Sequence, residues 1–451
     1  MSKMKIWIIP PGQFRVTRDP SIVMETCLGS CIGVCLFDQH NSIGGLIHII
    51  LPDARAEKKS AYPARYASSG IPLLLSEMVK AGASTERISA FLVGGAMVIL
   101  DSRLSVELNI GKKNAAIAKQ ILASYGIPIV KEDIGGHFGR VVRFRPIQGS
   151  IEITSLSKKG GLAPVFHPER KIALKELLEK INRLKPLPEV VRKIIYRIED
   201  YEVSASELEE YILRDQALTA NILKAANSPY YGFQGQISNI QRAIVLLGLE
   251  ELRRIVLGTS LYDIYDTRIN GYSLEKGMLM KHSIFCSIVA QLLANLKNSE
   301  TDVDTVFTAA LLHDIGKIVL DQYAFEKFNL IIDMVMNQNI PFIDAENRIL
   351  GYDHAHVGGL IAEKWQLPEI LIEAIQFHHE PENAKRHPEL VSIIHIADII
   401  SCMFGEGLGA DGMANRLNQF AISCINLDVN DVEVITHSLP EIARRADAFL
   451  F

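Results

Sequence analysis

A short segment near the N-terminus carries the residue types needed for nucleophilic chemistry. It reads Thr26-Cys27-Leu28-Gly29-Ser30-Cys31, and His48 follows seventeen residues after it. A cysteine thiolate is a strong nucleophile even when only a small fraction is ionised, and a nearby imidazole raises that fraction. The small residues Gly29 and Ser30 leave room for a substrate carbonyl, and backbone N–H groups at such a turn can hold an oxyanion. The segment therefore predicts attack by Cys31 on a carbonyl, with His48 as the base.

A structural role for the cysteines is the alternative. Free cysteines are usually small buried hydrophobic residues. Cys27, Cys31 and Cys35 recur every four residues, which differs from the two-residue gap between the ligands of common zinc sites. On one strand the three thiols would share a face but lie too far apart to bind a single ion. The residues alone leave catalysis and burial open for Cys31.

Two strands and a turn can bring the thiol and the imidazole together. Residues 31–37 are rich in strand-forming side chains, and residues 42–51 form a second such run. The segment between them, Asp38-Gln39-His40-Asn41, is typical of a turn. We expect a hairpin that places Cys31 within reach of His48.

The second half of the chain carries a separate set of imidazoles and carboxylates. These are His282, His313, Asp314, His354, His378, His379 and Asp398. Adjacent imidazole and carboxylate ligands on one helix, joined by single ligands from other helices, can hold one or two divalent metals that polarise a phosphate and activate water. The alternative is that these side chains hydrogen-bond to one another inside a bundle, because buried polar groups need partners.

Length and composition narrow the class of protein. The 451 residues suffice for two or three domains with sizeable cores, and 48% hydrophobic with 22% charged residues is typical of a globular chain. A net charge of −5 argues against a broad surface for nucleic acid or anionic membrane. Six cysteines in a chain of this length indicate reduced thiols and a cytoplasmic protein. We find no N-terminal signal pattern and no run of eighteen apolar residues, so we expect no membrane-spanning helix.

The hydrophobic periodicity changes once along the chain. Residues 4–155 mix strand patterns with two helical stretches, near 64–81 and 112–125, and the pattern is helical almost throughout from about residue 168. We therefore predict an α/β N-terminal domain, a layered sheet with helices, and an all-α C-terminal bundle. Together with the extents of the family resemblances that the two parts carry, these patterns predict boundaries of 1–157 for the first domain, 158–172 for a linker, 173–405 for the helical domain and 406–451 for a helical extension.

Several motifs in the first part of the chain form a specific series. They are the Thr26–Cys31 segment with His48, Leu51-Pro52-Asp53, Tyr66-Ala67, Gly94-Gly95-Ala96, Asn109-Ile110-Gly111 with Asn114, and Glu132-Asp133-Ile134-Gly135-Gly136 with Arg140. With them, residues 1 to about 157 resemble the chemoreceptor glutamine deamidase (CheD) family. The resemblance implies that Cys31 is the nucleophile, His48 the base and Thr26 the residue that orients the histidine. It also implies a glutamine on the cytoplasmic domain of a chemoreceptor as the substrate, with no cofactor.

A second series of motifs lies in the helical part. It comprises Leu184-Lys185-Pro186-Leu187-Pro188, Arg214-Asp215-Gln216-Ala217-Leu218, Ala226-Asn227-Ser228, Leu312-His313-Asp314-Ile315-Gly316-Lys317 and Asp353-His354-Ala355-His356. Residues from about 173 to 405 thereby resemble the HDOD family, a branch of the HD phosphohydrolase superfamily whose members are mostly regulatory. The resemblance implies metal positions at His282, His313, Asp314 and Asp398, with His354, His378 and His379 similar to the extra ligands of two-metal members. The Gly-Tyr-Pro signature of cyclic-dinucleotide phosphodiesterases is absent after His379, where the chain reads Glu380-Pro381-Glu382-Asn383.

Three functions follow from these features. The leading one is a cytoplasmic signalling enzyme that deamidates receptor glutamines, or hydrolyses glutamate methyl esters, while the HDOD-like domain regulates or localises it. The competing one is a docking module that binds a phosphatase of the chemotaxis response regulator without catalysis. The third is a metal-dependent phosphohydrolase in the helical half. None of them requires nucleic acid or membrane insertion.

Overall fold

Two compact units make up this computed structural model. It describes residues 5–9, 11–53, 63–96, 99–100, 110–136, 139–155, 172–184, 186–196, 205–228, 230–233, 237–265, 269, 272, 274, 276–324, 327, 330–331, 334–335, 340–403 and 415–449. The first unit comprises Met1–His167, Leu330–Ala345 and Cys402–Arg416, and the second comprises Pro168–Asn329, Glu346–Ser401 and Leu417–Phe451. The first division falls within the predicted 158–172 linker, of which only residue 172 belongs to the described part. Two later segments join the first unit through contacts that hydrophobic periodicity does not encode.

The first unit is built on two sheets. Its strands are β1 (Lys5–Ile8), β2 (Phe14–Thr17), β3 (Ile22–Leu28), β4 (Ile32–Asp38), β5 (Ile43–Ile49), β6 (Ser89–Gly94), β7 (Ile99–Leu100), β8 (Ile129–Ile134), β9 (Arg140–Arg145), β10 (Ser150–Ser155) and β11 (Asn415–Arg416). One sheet has the order β1-β3-β9-β10 and the other β2-β5-β4-β6-β8, while β7 and β11 form a short parallel pair. The helices of this unit are α1 (Ala67–Lys80) and α2 (Ile110–Ser124).

Three layers pack together in the first unit. Every residue of β4 and β5 is buried, as expected for strands covered on both faces. Their apolar side chains form one core with α1 and α2. On the opposite side, the Phe144 ring of the four-stranded sheet lies 6.3 Å from Phe37 and 6.1 Å from Phe91 of the five-stranded sheet. The α/β prediction with a layered sheet is confirmed.

The predicted hairpin is present. Strands β4 and β5 pair antiparallel from Ile32↔Ile49 to Asp38↔Ile43. Ser42 adopts a left-handed conformation with φ +52° in the connecting turn. The helix expected at 64–81 begins three residues later, because residues Pro63–Arg65 form a 3₁₀ turn first.

The second unit is helical. Its helices are α3 (Leu174–Arg183), α4 (Glu189–Tyr196), α5 (Ala205–Leu213), α6 (Gln216–Ala226), α7 (Ile240–Leu247), α8 (Leu249–Tyr265), α9 (Met278–Leu296), α10 (Val303–Leu312), α11 (Gly316–Ala324), α12 (Phe342–Leu350), α13 (His354–Lys364), α14 (Glu369–Phe377), α15 (Pro388–Met403), α16 (Gln419–Cys424) and α17 (Val429–Ala448), of which α12 and α15 run across a boundary between the units. The all-α prediction for the C-terminal part is confirmed.

Helix α9 forms the centre of the bundle. Among the described helices it alone is long and apolar enough to cross a membrane by length and composition, with a mean hydropathy of 1.3 over the stretch. However, 78% of that stretch is buried inside the protein, and it carries the buried polar side chains of His282 and Gln291. These are the properties of a core helix, for which every face meets another helix.

Candidate functional site

The turn that carries Cys31 connects the two sheets. Strand β3 ends at Leu28 in the four-stranded sheet, and β4 begins at Ile32 in the five-stranded sheet. Cys31 is fully buried at this junction. The backbone N–H of Gly95 donates to the Cys31 carbonyl at 2.7 Å, and that of Ala96 donates to Gly29 at 2.9 Å. The loop after β6 therefore forms a backbone clasp on the Cys31 turn.

Gly94 makes this clasp possible. Its φ of +110° lies in a region that favours glycine, and a Cβ at this position would lie 2.3 Å from the Cys31 carbonyl oxygen. No side chain fits at that separation. The close approach of two backbone segments therefore explains the Gly94-Gly95-Ala96 motif.

His48 and Thr26 meet where the two sheets touch. The Nδ1 atom of His48, on β5, lies 2.7 Å from the Oγ1 atom of Thr26, on β3. The Thr26 hydroxyl donates its own hydrogen to the Ile9 carbonyl at 2.8 Å. Because a hydroxyl has only one hydrogen, Thr26 must accept from the Nδ1–H group of His48. The ring therefore presents the lone pair of Nε2 as a proton acceptor.

The environment of His48 keeps it neutral. Burial lowers the pKa of His48 to about 4, so the imidazole is uncharged near neutral pH. Within the described residues, the buried Nε2 atom has no hydrogen-bond partner. A neutral base with an open acceptor is the form that can take a proton from a thiol.

Cys35 is the other described cysteine of this segment, and it differs from Cys31 in its position relative to β4. Cys35 lies inside β4 and is fully buried, and burial raises the pKa of its thiol. Such a thiol is inert. Nothing is described for the Cys27 side chain, so the expected failure of the three thiols to share a metal ion stays a prediction. The catalytic assignment of Cys31, His48 and Thr26 likewise stays a prediction, although the fold brings Thr26 and His48 into contact.

The second set of predicted residues converges inside the helical unit. His282 comes from α9, His313 and Asp314 follow α10, and His354 begins α13. His378 and His379 follow α14, and Asp398 lies on α15. Helices separated by up to about a hundred residues thus supply one buried cluster.

Short distances join these side chains. The His282 Nε2 atom lies 3.1 Å from Asp398 Oδ1 and 3.4 Å from Asp314 Oδ2. His313 Nε2 lies 3.4 Å from Asp314 Oδ2. His354 Nε2 lies 3.4 Å from Asp314 Oδ1 and 2.9 Å from His379 Nε2. The ligand atoms of His282, His313 and Asp314 lie within 4.8 Å of one another, and so do those of His354, His378 and His379.

The orientation of the rings suits a cation. The Nδ1 atoms of His313 and His378 are held by the carbonyls of Ala310 at 2.6 Å and Ile375 at 2.7 Å. Their buried Nε2 atoms, like the Asp314 Oδ1 atom, have no hydrogen-bond partner in the part of the chain that the structure describes. Outer contacts of this kind fix the tautomer of metal-binding histidines. The donor set therefore fits a divalent metal.

Neighbouring charges shift the pKa values of the side chains in this cluster. Burial by itself would lower the pKa of His313, but the Asp314 and Asp398 carboxylates raise it to about 10. Conversely, burial opposes the ionisation of Asp314, yet His313 and Lys317 hold its pKa well below the usual range. The Lys317 ammonium lies 2.5 Å from Asp314 Oδ2. Protons and Lys317 thus compensate the carboxylates where a metal would otherwise do so.

Glu346 is a member of this site that the sequence analysis missed. It is fully buried on α12, and its Oε2 atom lies 2.7 Å from His354 Nδ1 and 3.0 Å from the His354 backbone N–H. The Tyr272 hydroxyl bonds to its other oxygen. A carboxylate in line with the apolar face of a helix is the signal that could have found it, because a buried charge needs a partner.

Comparisons with known proteins agree with this division. The family described as CheD chemotactic sensory transduction matches residues 50–155, and the HDOD domain matches residues 184–381. A relative from Pyrococcus horikoshii named "Probable chemoreceptor glutamine deamidase CheD" is 37% identical over 166 residues, which is 37% of this chain and 100% of the relative. A relative of the same name from Clostridium novyi is 39% identical over 145 residues, covering 32% of this chain and 90% of the relative.

A solved structure resembles the remainder. It is an HDOD domain protein of unknown function from Geobacter sulfurreducens, 28% identical with a TM-score of 0.53. The match covers 61% of this chain and 97% of that protein. The two sets of comparisons together account for both halves of the sequence.

Proposed function

The chain belongs to the CheD family through its N-terminal part and carries an HDOD domain after it, and from this we propose that Cys31 is the nucleophile of a protein-glutamine deamidase. Family membership makes the N-terminal part a chemotaxis amidohydrolase. The single observation that supports the site is the Thr26–His48 hydrogen bond, which leaves the lone pair of His48 Nε2 open. This lone pair is available to the thiol of the adjoining turn.

The chemistry proceeds in two steps. His48 Nε2 takes the proton of Cys31, and the thiolate attacks the carbon of the glutamine side-chain carboxamide. Backbone N–H groups at the Gly29–Cys31 turn stabilise the oxyanion. The imidazolium then protonates the leaving nitrogen, which departs as ammonia. Because burial disfavours charge on this ring, the imidazolium gives up its proton readily. Water, activated by the neutral His48, hydrolyses the thioester to glutamate.

The proposed substrate is a glutamine of a chemoreceptor, since the relatives are named chemoreceptor glutamine deamidases. We propose that this glutamine lies on the helical cytoplasmic domain of the receptor, which would place the protein in the cytoplasm. The reaction needs no cofactor. A glutamate methyl ester would serve as well, with methanol as the leaving group. Docking to a phosphatase of the chemotaxis response regulator is the competing function.

Mass spectrometry of receptor domains tests the proposal. Wild-type protein should convert defined glutamines to glutamates, each with the mass gain of amide to acid, and Cys31→Ala should convert none. Cys35→Ala is the matched control, because Cys35 is an equally buried thiol of the same unit and should retain activity. Conversion by Cys31→Ala would refute the nucleophile. Failure of wild type across several receptors, with retained binding to a response-regulator phosphatase, would favour docking.

For the helical half we propose a divalent-metal site in a regulatory HDOD domain. His282, His313, Asp314 and Asp398 would hold one ion, and His354, His378 and His379 could hold a second. A bound ion would supply Lewis-acid chemistry for a phosphate ester. The three buried, inward-facing atoms without a hydrogen-bond partner among described residues support binding. Phosphohydrolysis remains the second candidate function, and regulation of the deamidase is the first.

A further inference from the structure

Strand β4 begins directly after Cys31, and β5 carries His48. The two strands stop pairing beside these residues. The β4–β5 ladder ends at the pair Ile32↔Ile49, so the next position would set Cys31 opposite Ile50. Here the backbones diverge. The Cys31 carbonyl accepts from Gly95, and the Ile50 N–H donates to Arg65 at 2.9 Å.

One side chain spans this gap. Asn114, on α2, is fully buried. Its Nδ2 atom donates to the Ser30 carbonyl at 3.2 Å and to the Ile50 carbonyl at 2.8 Å. Only the nitrogen of the amide can donate to two carbonyls, so chemistry fixes the orientation of the group. Its Oδ1 atom is buried and has no partner among the described residues, which shows that the two donor contacts decide where the amide lies.

We propose that Asn114 is a positioning residue for deamidation. It replaces the missing ladder bonds and holds the Cys31 turn at a fixed separation from the strand that carries His48. Its two acceptors are the residue before Cys31 and the second residue after His48. This inference rests on the proposed roles of Cys31 and His48.

Positioning matters here because the rate of proton transfer falls steeply as the distance between donor and acceptor grows. The thiol and the imidazole must come within hydrogen-bond reach, and a displacement of about 1 Å can cost about a hundredfold in rate. Hydrogen bonds from a buried neighbouring group are a common way to hold reacting side chains in place. Both hydrogen bonds of the Asn114 amide end on backbone carbonyls, so its effect passes through the backbone.

Two variants distinguish the effect of the Asn114 hydrogen bonds from the effect of the packing of its side chain. Asn114→Asp keeps nearly the shape of the side chain but loses the bridging NH₂ group, and Asn114→Ala removes the whole amide. Leu122→Ala, at a fully buried position of the same helix, controls for loss of stability. Asn41→Ala controls for the loss of an asparagine that bonds a distant backbone carbonyl elsewhere, since Asn41 Nδ2 donates to Gly82 at 2.9 Å.

The experiment uses the full-length protein with two readouts. The first is kcat and KM on a receptor domain, and the second is the pH profile of alkylation of Cys31 by iodoacetamide, read by peptide mass spectrometry. We expect both Asn114 variants to lower kcat about a hundredfold with KM within about threefold, and to shift the alkylation profile of Cys31 to higher pH. Both controls should keep the wild-type values per folded molecule.

Two results would overturn the proposal. One is an unchanged kcat and alkylation profile in both Asn114 variants, and the other is an equal loss in Leu122→Ala. If wild type deamidates no receptor, the proposed function fails, but the alkylation profiles still decide whether Asn114 sets the environment of Cys31. The two failures are therefore distinguishable.

Discussion

At the scale of single residues, Thr26 determines which nitrogen of His48 can act. The threonine hydroxyl is committed to Ile9 as a donor, so it can only accept from the ring. This one contact selects the Nδ1–H tautomer and directs the lone pair of Nε2 inward. A hydroxyl on a strand of the other sheet thereby sets the tautomer and direction of the histidine.

Removal of this hydroxyl should impair catalysis with little loss of binding. Thr26→Val keeps the shape but leaves the Nδ1–H group without an acceptor, so we expect kcat to fall about 10- to 100-fold. Thr26→Ser restores an acceptor and should recover most of the rate. Steady-state kinetics on a receptor domain provide the measurement. Equal rates for Thr26→Val and wild type would contradict the orienting role.

The low pKa of His48 predicts a loss of stability in acid. The unfolded chain binds a proton on this residue below about pH 6.5, whereas the folded chain does so only below about pH 4. The unfolded state therefore holds more protons in this window, so stability falls as pH falls through it. The cost is about 3 kcal/mol between pH 7 and pH 4.

A variant without the imidazole isolates this effect. His48→Gln should lose less stability than wild type between pH 7 and pH 4, and the difference should disappear above pH 7. Thermal unfolding of both proteins over this pH range measures it. Parallel curves would show that His48 is protonated in the folded protein as easily as in the unfolded one.

At the scale of elements, the clasp between the Cys31 turn and the loop after β6 holds the site together. The loop reaches the turn only because Gly94 lacks a side chain. The hairpin β4–β5 and the return of β6 beside β4 then bring three segments to one point. The candidate site depends on how these elements meet, since Cys31 lies in the turn before β4 while Thr26 and His48 lie on β3 and β5.

Two glycine substitutions test this arrangement. Gly94→Ala should destabilise the first unit by about 2–4 kcal/mol and abolish deamidation, because its Cβ would overlap the Cys31 carbonyl. Gly126→Ala also has a positive φ, +67°, but meets no atom within 4 Å, so it should cost only about 1 kcal/mol. Chemical denaturation and the receptor assay give both quantities. A similar result for the two variants would argue against the close approach.

At the scale of the whole molecule, the chain contains two separate candidate sites built in different ways. The first lies between two sheets and depends on backbone contacts. The second lies inside the helical unit, where side chains from α9, α13 and α15 meet the His313-Asp314 pair. Its buried carboxylates balance a protonated His313 and Lys317, so a metal must compete with protons there.

Metal titration tests the second site. Wild type should bind Mn²⁺ or Zn²⁺, and the affinity should rise about tenfold per pH unit near neutrality because binding releases the proton of His313. His313→Ala should abolish binding, and Glu346→Gln should weaken it about 10- to 100-fold. His356→Ala is the control, since His356 lies outside both ligand groups. Calorimetry and elemental analysis measure the outcome. If wild type binds no divalent metal, the phosphohydrolase function fails.

The sequence by itself determined the fold class and the residue types that could carry out the chemistry. Turn residues at 38–41 between two strand-forming runs predicted the hairpin that pairs β4 with β5. Helical periodicity predicted the bundle, and the His and Asp residues within its apolar helical stretches, together with the family resemblance, indicated those that cluster inside it. These features are local, because periodicity and turn chemistry act over a few residues.

Only the tertiary structure decided the remaining partners. The contact of Thr26 with His48 depends on how two sheets meet, and that of Asn114 with Ser30 depends on where α2 begins. Glu346 joins His354 because both elements pack inside the bundle. Such contacts arise from the packing of elements distant in the chain, which no local pattern of residues encodes. The residue types were therefore readable in the sequence, whereas the hydrogen bonds that set their function required the fold.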